Sequence, residues 1–184
     1  MMAAADPGPS WTLAGSLTGI VQNKSVLLQP ALTFDRGPLH LETRYNSDDR
    51  DTFSLFAGWN LEWGKLQLTP MLGALAGRTK GIAPEIDLTL TWGQFKLSGG
   101  AEYIFDFSDT AEDYFSAWSG LTMSPLAWLQ LGLALQRTRV IRSPREVQLG
   151  PQLGISFWKM SATFSLYNPG FQGEYASLGL EVTF

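Results

Sequence analysis

Residues 174–184 read EYASLGLEVTF. Counting back from Phe184, the residues Val182, Leu180, Leu178 and Ala176 share one side of an extended strand, and Thr183, Glu181, Gly179 and Ser177 share the other. One face is apolar and the other polar. A half-buried strand of a soluble protein alternates in the same way, so the fold depends on whether the apolar face meets a protein core or a lipid bilayer.

The same period of two runs through almost the whole chain. About twelve segments carry it, among them WTLAGSLTGIV (11–21), LHLETRY (39–45), EIDLTLTW (85–92) and AWLQLGLALQRT (127–138), each close to the roughly 9–11 residues that a tilted strand needs to cross a bilayer. No segment of helical period competes. Very short connections at DRGP (35–38), EWGK (62–65), TWGQ (91–94), MSPLA (123–127) and FWKM (157–160) alternate with longer polar links. Those links are QNKS (22–25), NSDDRD (46–51), GRTKGIAP (77–84), SDTAED (108–113), RVIRSPR (139–145) and NPGFQG (168–173). Strict alternation of short and long ends predicts an up-and-down antiparallel barrel rather than a Greek-key sandwich, which needs a long crossing connection.

Composition agrees with a membrane strand protein. The 184 residues suit one domain, 45% are hydrophobic and only 16% charged, and the charges avoid the middles of segments. A net charge of −4 without any basic, aromatic-interleaved stretch argues against nucleic-acid binding. The absence of cysteine removes disulfides, thiolate metal sites and cysteine nucleophiles. No run of about 18 apolar residues is present, which excludes a transmembrane helix. The opening MMAAADPGPS lacks a basic region followed by an apolar stretch, so it does not read as a secretory signal, and an exported chain would be the mature form. Residues 1–10 are expected to form a periplasmic tail and 11–184 a single barrel.

Aromatic placement and interior volume decide between core and lipid. Trp63, Trp92, Trp128 and Trp158 lie at the short turns and Phe34 and Phe184 close strands at the same rim, as an interfacial girdle would. Tyr45, Phe53, Tyr103, Phe105 and Phe115 gather toward the opposite strand ends, where a second belt is expected. About eight strands already make a barrel whose interior side chains just fill it, so twelve would leave a void in a soluble protein. The residues opposite the apolar stripe, such as Glu85, Asp87, Thr89 and Thr91, or Lys159, Ser161, Thr163 and Ser165, tolerate a wet lumen. The apolar face is therefore expected to meet lipid.

On these residues the chain resembles the outer-membrane β-barrel proteins of Gram-negative bacteria. Its terminal strand ending in Phe184 is similar to the assembly signal of that class, which implies recognition by the barrel-assembly machinery. The phrases LTPMLG (68–73), GIAPE (81–85), EYIFDF (102–107), QRTR (136–139) and YNPG (167–170) are also similar to an uncharacterised group of small barrel proteins, which brings no known activity. The resemblance implies an integral protein with both termini periplasmic, and one fold of this kind hosts many tasks.

Function then has to be read from the lumen. The inward ionisable residues are expected to be Glu42, Glu62, Glu85, Asp87, Glu102, Glu146 and Glu181 with Arg44, Lys96, Lys159 and Arg137, a mixed set that leans acidic. If water threads the barrel, that lean favours cations. Two readings stay open: a small passive channel for ions or small solutes, and a non-conducting structural or binding barrel with a filled lumen. Catalysis is not expected. The one histidine, His40, lies beside Glu42 on the inward face, but near the tight-turn end and without a serine motif, so it reads as a lumenal hydrogen-bonding group rather than part of a lipid-modifying site. No cofactor is implied. NSDDRD lacks the glycine and distal glutamate of a calcium loop and reads as a solvated loop tip, and the paired glycines of LSGGAEY (97–103) have no following helix to hold a phosphate.

Overall fold

The computed structural model describes residues 10–108, 113–140 and 146–184, the side chains of 138–140 and 146 excepted. The expected tail, up to residue 9, and the Glu146 side chain thus lie outside the described residues. The chain forms β1 (Thr12–Gln22), β2 (Ser25–Arg36), β3 (Leu39–Tyr45), β4 (Thr52–Trp59), β5 (Leu61–Trp63), β6 (Leu66–Gly77) and β7 (Gly81–Trp92). These are followed by β8 (Phe95–Asp106), β9 (Tyr114–Leu126), β10 (Leu129–Val140), β11 (Glu146–Phe157), β12 (Met160–Tyr167) and β13 (Tyr175–Thr183). All pairings are antiparallel. The first and last strands close the sheet, with Leu17 opposite Leu180, and β4 pairs with both β3 and β6. The result is a closed, all-β, up-and-down transmembrane barrel of twelve staves, because β4 and β5 both run along β6 as one interrupted stave.

The interruption has a local cause. The register on either side, Gly58 to Met71 and Leu61 to Leu68, sets Trp59 against Pro70, which has no N–H to give to a ladder. Asn60 steps out of the pairing and spends its polar groups elsewhere. Its backbone N–H donates to the Pro38 carbonyl at 2.7 Å, its side-chain amide donates to Asp35 Oδ1 at 2.7 Å, and its amide oxygen accepts from Thr69 Oγ1 at 2.8 Å.

The period of two in the sequence becomes an inside and an outside. On β10, Leu131, Leu133 and Leu135 are exposed on the outer surface. On β4, Phe53 and Leu55 are exposed while Thr52, Ser54 and Phe56 are buried within. Arg137 corrects the expected lumen set. It follows Leu131, Leu133 and Leu135 at two-residue steps, pairs in register with Ala117, and holds its guanidinium 5.6 Å from the Phe115 ring centre on the outer face. Near the strand end a long cationic side chain can lie against an aromatic ring and reach the headgroup level, which makes that position tolerable.

At one end every connection is a two-residue turn, at 37–38, 64–65, 93–94, 127–128 and 158–159. Gly37, Gly64 and Gly93 supply the positive φ there, and Trp158 adopts it without being glycine. The other end is less uniform than strict alternation predicts. Asn23 and Lys24 both have positive φ, the hallmark of a type I′ hairpin, so the 23–24 link is as tight as those at the opposite end. Asparagine tolerates that region well and compresses the link.

The interior is not polar throughout. Phe56, Met71, Leu75, Ala83 and Ile104 form an apolar cluster against which Tyr114 packs, on the inner side of β4 and β6–β9. The Phe56 ring lies over the bare backbone of Gly73, its register partner, where an added Cβ would meet the ring at 2.4 Å. Gly73→Val is expected to cost roughly 1–3 kcal/mol through overpacking, and denaturant unfolding of the refolded barrel measures it.

Candidate functional site

Three strands and one loop deliver a charged cluster to the lumen. The alternation of β3 turns His40, Glu42 and Arg44 inward, β7 contributes Glu85 and Asp87, and β8 sets Glu102 directly across from Glu85. Arg44 is the hub. Its Nη1 and Nη2 donate to the two oxygens of Glu85 at 2.8 Å each, and Nε donates to Glu42 Oε1 at 2.7 Å. Its guanidinium carbon also stands 4.2 Å from the centre of the Phe56 ring. A planar fork that meets a carboxylate twice, with a third donor left for another, is geometry that lysine cannot reproduce.

The loop at 46–51 completes the cluster, and here the structure overturns the reading of NSDDRD as a solvated tip. Asp48 is only 5% exposed. It accepts a hydrogen bond from the Ser54 hydroxyl and lies 3.6 Å from Arg44 Nη1. Positive φ at Asn46 and Asp51 turns the loop at both ends, and Asp49 fastens it to the neighbouring loop by accepting from Thr79 Oγ1 at 2.8 Å. The inward carboxylate is stable because a cation waits for it, so this short loop reaches into the lumen. His40 joins from the other side, with Nδ1 at 2.8 Å from Asp35 Oδ1 and Nε2 at 3.4 Å from Glu42 Oε2.

Beside this cluster lies a cavity of about 440 Å³. One wall carries Glu42, Arg44, Asp48, Asp87 and Glu102. Trp118 of β9 continues this wall next to Asp87, and the rest of the lining carries Tyr167, Tyr175, Gln29 and Gln136 with small hydroxyl residues of β1 and β13. Asp87, Gly100 and Trp118 stand in register on the adjacent strands β7, β8 and β9, and the bare backbone of Gly100 makes room for both side chains, since a Cβ there would meet Asp87 Oδ1 at 2.1 Å and the Trp118 ring at 2.4 Å. Toward the tight-turn end follow a cavity of about 200 Å³, which shares Ser16 and Ala31 with the first, and one of about 220 Å³, which shares Glu181 with the second.

The other expected site residues are spread along the barrel. Lys96 and Glu181 border the cavity at the tight-turn end. Glu62 is exposed on β5 and accepts from Gln67 Nε2 at 3.3 Å. Lys159 occupies the 158–159 turn, exposed, with its ammonium 5.9 Å from the Trp158 ring centre. Trp63, Trp92, Trp128, Trp158 and Phe184 are all exposed at the tight-turn end, joined by Trp11. Tyr45, Phe53 and Phe105 are exposed near the loop end. Sequence reasoning passed over Trp118, Tyr167 and Tyr175. Each sits at an inward position of its strand, so parity alone could have flagged them as aromatics on the polar face.

No protein-family model matches the sequence, and no curated protein matches it. Among solved structures, the chain is similar in fold to the KdgM porin, with a TM-score of 0.68 and 9% identity over 93% of this chain and 99% of that one. A second structure, the KdgM porin in complex with disordered oligogalacturonate, gives a TM-score of 0.69 at the same identity and coverage. The NanC porin gives 0.57 at 9% identity, over 95% of this chain and 99% of that one. The architecture is therefore that of bacterial outer-membrane porins.

Proposed function

We propose that this protein is a small passive diffusion channel of the bacterial outer membrane with a preference for cations. The observation that carries the reading is the file of three cavities with shared walls, which leads from the Asp48 loop to Glu181 near the tight turns. The shared fold with two porins supports it. In this reading residues 11–184 form the single barrel domain, both termini are periplasmic, and the strand ending in Phe184 is what the barrel-assembly machinery recognises. Trp63, Trp92, Trp128 and Trp158 would then anchor the periplasmic interface. His40, with a carboxylate at each ring nitrogen, serves as a hydrogen-bonding group of the wall and not as a catalyst.

Selectivity follows from the field of the wall. Charges that line a narrow, low-dielectric passage act at short range with little screening. Changing Glu42 and Glu102 to Gln and Asp87 to Asn together is expected to weaken or reverse cation preference, read as the reversal potential in a salt gradient across a planar bilayer. Anion preference of the unaltered protein would refute the field argument. One observation favours a second reading: the apolar cluster around Phe56 and the Arg44 ion pairs fill part of the interior. Absence of ion current from correctly folded protein would make the barrel a non-conducting structural or binding element.

A further inference from the structure

We propose that the 440 Å³ cavity is a subsite for a hydroxylated organic cation, an amine-bearing solute of about the size of one sugar. The proposal deepens the channel reading, which supplies the route by which the solute arrives. Its first support is a pair of carboxyl groups without a cationic partner. Arg44 is committed to Glu85 and Glu42, and among the described residues no cation stands within ion-pair distance of Asp87 or Glu102. Each of these two keeps one side-chain oxygen without a hydrogen-bond partner, and Glu102 is only 4% exposed. Buried carboxylate oxygens left unsatisfied favour a ligand that brings donors and positive charge.

The second support is the set of aromatic rings that surrounds the acids. The Trp118 ring shares the bare backbone of Gly100 with the Asp87 carboxylate. Across the cavity the rings of Tyr167 and Tyr175 stack with centres 4.4 Å apart, and the Tyr175 hydroxyl donates to Gln136 Oε1. A cation held between carboxylates and ring faces is attracted by both. Gln29, Ser16, Thr18 and Ser177 line the remainder with groups that both donate and accept, which suits hydroxyls. The volume lies within the range of about 300–1,000 Å³ typical of small-molecule sites.

The same features exclude other occupants. An anionic solute would meet four carboxylates against one guanidinium. A bare metal ion has no ready seat, since no group of three or more acidic or histidine ligands with suitable geometry exists among the described residues.

Titration calorimetry of the refolded, full-length protein with glucosamine, glucose and galacturonate provides the test, since the three share a ring and differ in charge. Glucosamine is expected to bind at least about ten-fold more tightly than glucose, with galacturonate giving no heat of binding. Glu102→Gln and Trp118→Leu should each weaken glucosamine binding by about five-fold or more, while Thr163→Ala, in the separate cavity of about 220 Å³ near the tight turns, leaves it unchanged. Trp118→Phe, which keeps a ring, should retain most of the affinity and guards against a folding defect. Equal binding of glucosamine and glucose, or no glucosamine binding by protein that conducts ions, overturns the subsite and leaves the channel standing. Glucosamine binding by folded protein that carries no current upholds the subsite and removes the channel.

Discussion

Replacing Leu133 with Arg is expected to destabilise the inserted barrel by about 2–4 kcal/mol, the cost of a cationic side chain at the bilayer midplane on a lipid-facing position. Leu133 sits well inside β10, is 54% exposed on the outer face, and lies in register between Leu121 of β9 and Pro151 of β11. That apolar neighbourhood offers a guanidinium no partner, and both rims are several residues away. Leu180 on β13, which pairs with Leu17 on one side and Ala162 on the other, should respond in the same direction. Thr163→Arg should cost much less, because Thr163 faces the cavity that contains Glu181 and a charge there stays wet. Urea titration of protein folded into lipid vesicles measures both. Equal costs at Leu133 and Thr163 would mean that the inner and outer faces have been misassigned.

Arg44→Ala carries the other large effect, an expected loss of about 3–5 kcal/mol, the usual consequence of removing one partner of a buried ion pair. Both oxygens of Glu85 accept from Arg44, and the Glu85 side chain is wholly shielded from solvent. Without the guanidinium, Glu85 and Glu42 face each other and Asp48 with no compensating charge. The double change Arg44→Met with Glu85→Leu should recover much of the stability, because the penalty belongs to the orphaned charge and not to the loss of an attraction. The single change should also release the 46–51 loop from the lumen and raise single-channel conductance. A cost under about 1 kcal/mol for Arg44→Ala would show that the pairs are solvent-screened, and with that the description of the cluster as a buried constriction would fail.

The barrel itself was legible in the sequence because its signal is local. Strand faces follow from a two-residue period, so EYASLGLEVTF declares its apolar side without reference to any partner, and the other strands around the ring repeat the declaration between turns that are themselves local. Even the outward Arg137 obeys this rule, standing two residues beyond Leu135. That Trp63, Trp92, Trp128 and Trp158 sit at or beside turns was visible for the same reason, since turns are local, and all four are exposed there. Tertiary structure alone decided what happens inside. Arg44 meets Glu85 across 41 positions of chain, and Trp118 comes to lie beside Asp87 because both need the bare backbone of Gly100. Phe56 and Ile104 turn inward on strands that carry apolar residues on both faces, so parity did not separate a filled side of the lumen from an open one. The Asp48 loop, polar enough for solvent, folds inward because Arg44, four residues earlier and itself turned into the lumen to meet Glu85, offers its carboxylate a partner. Periodicity reports which way a side chain faces, whereas its neighbours across the lumen depend on ring closure and register, which no single segment encodes.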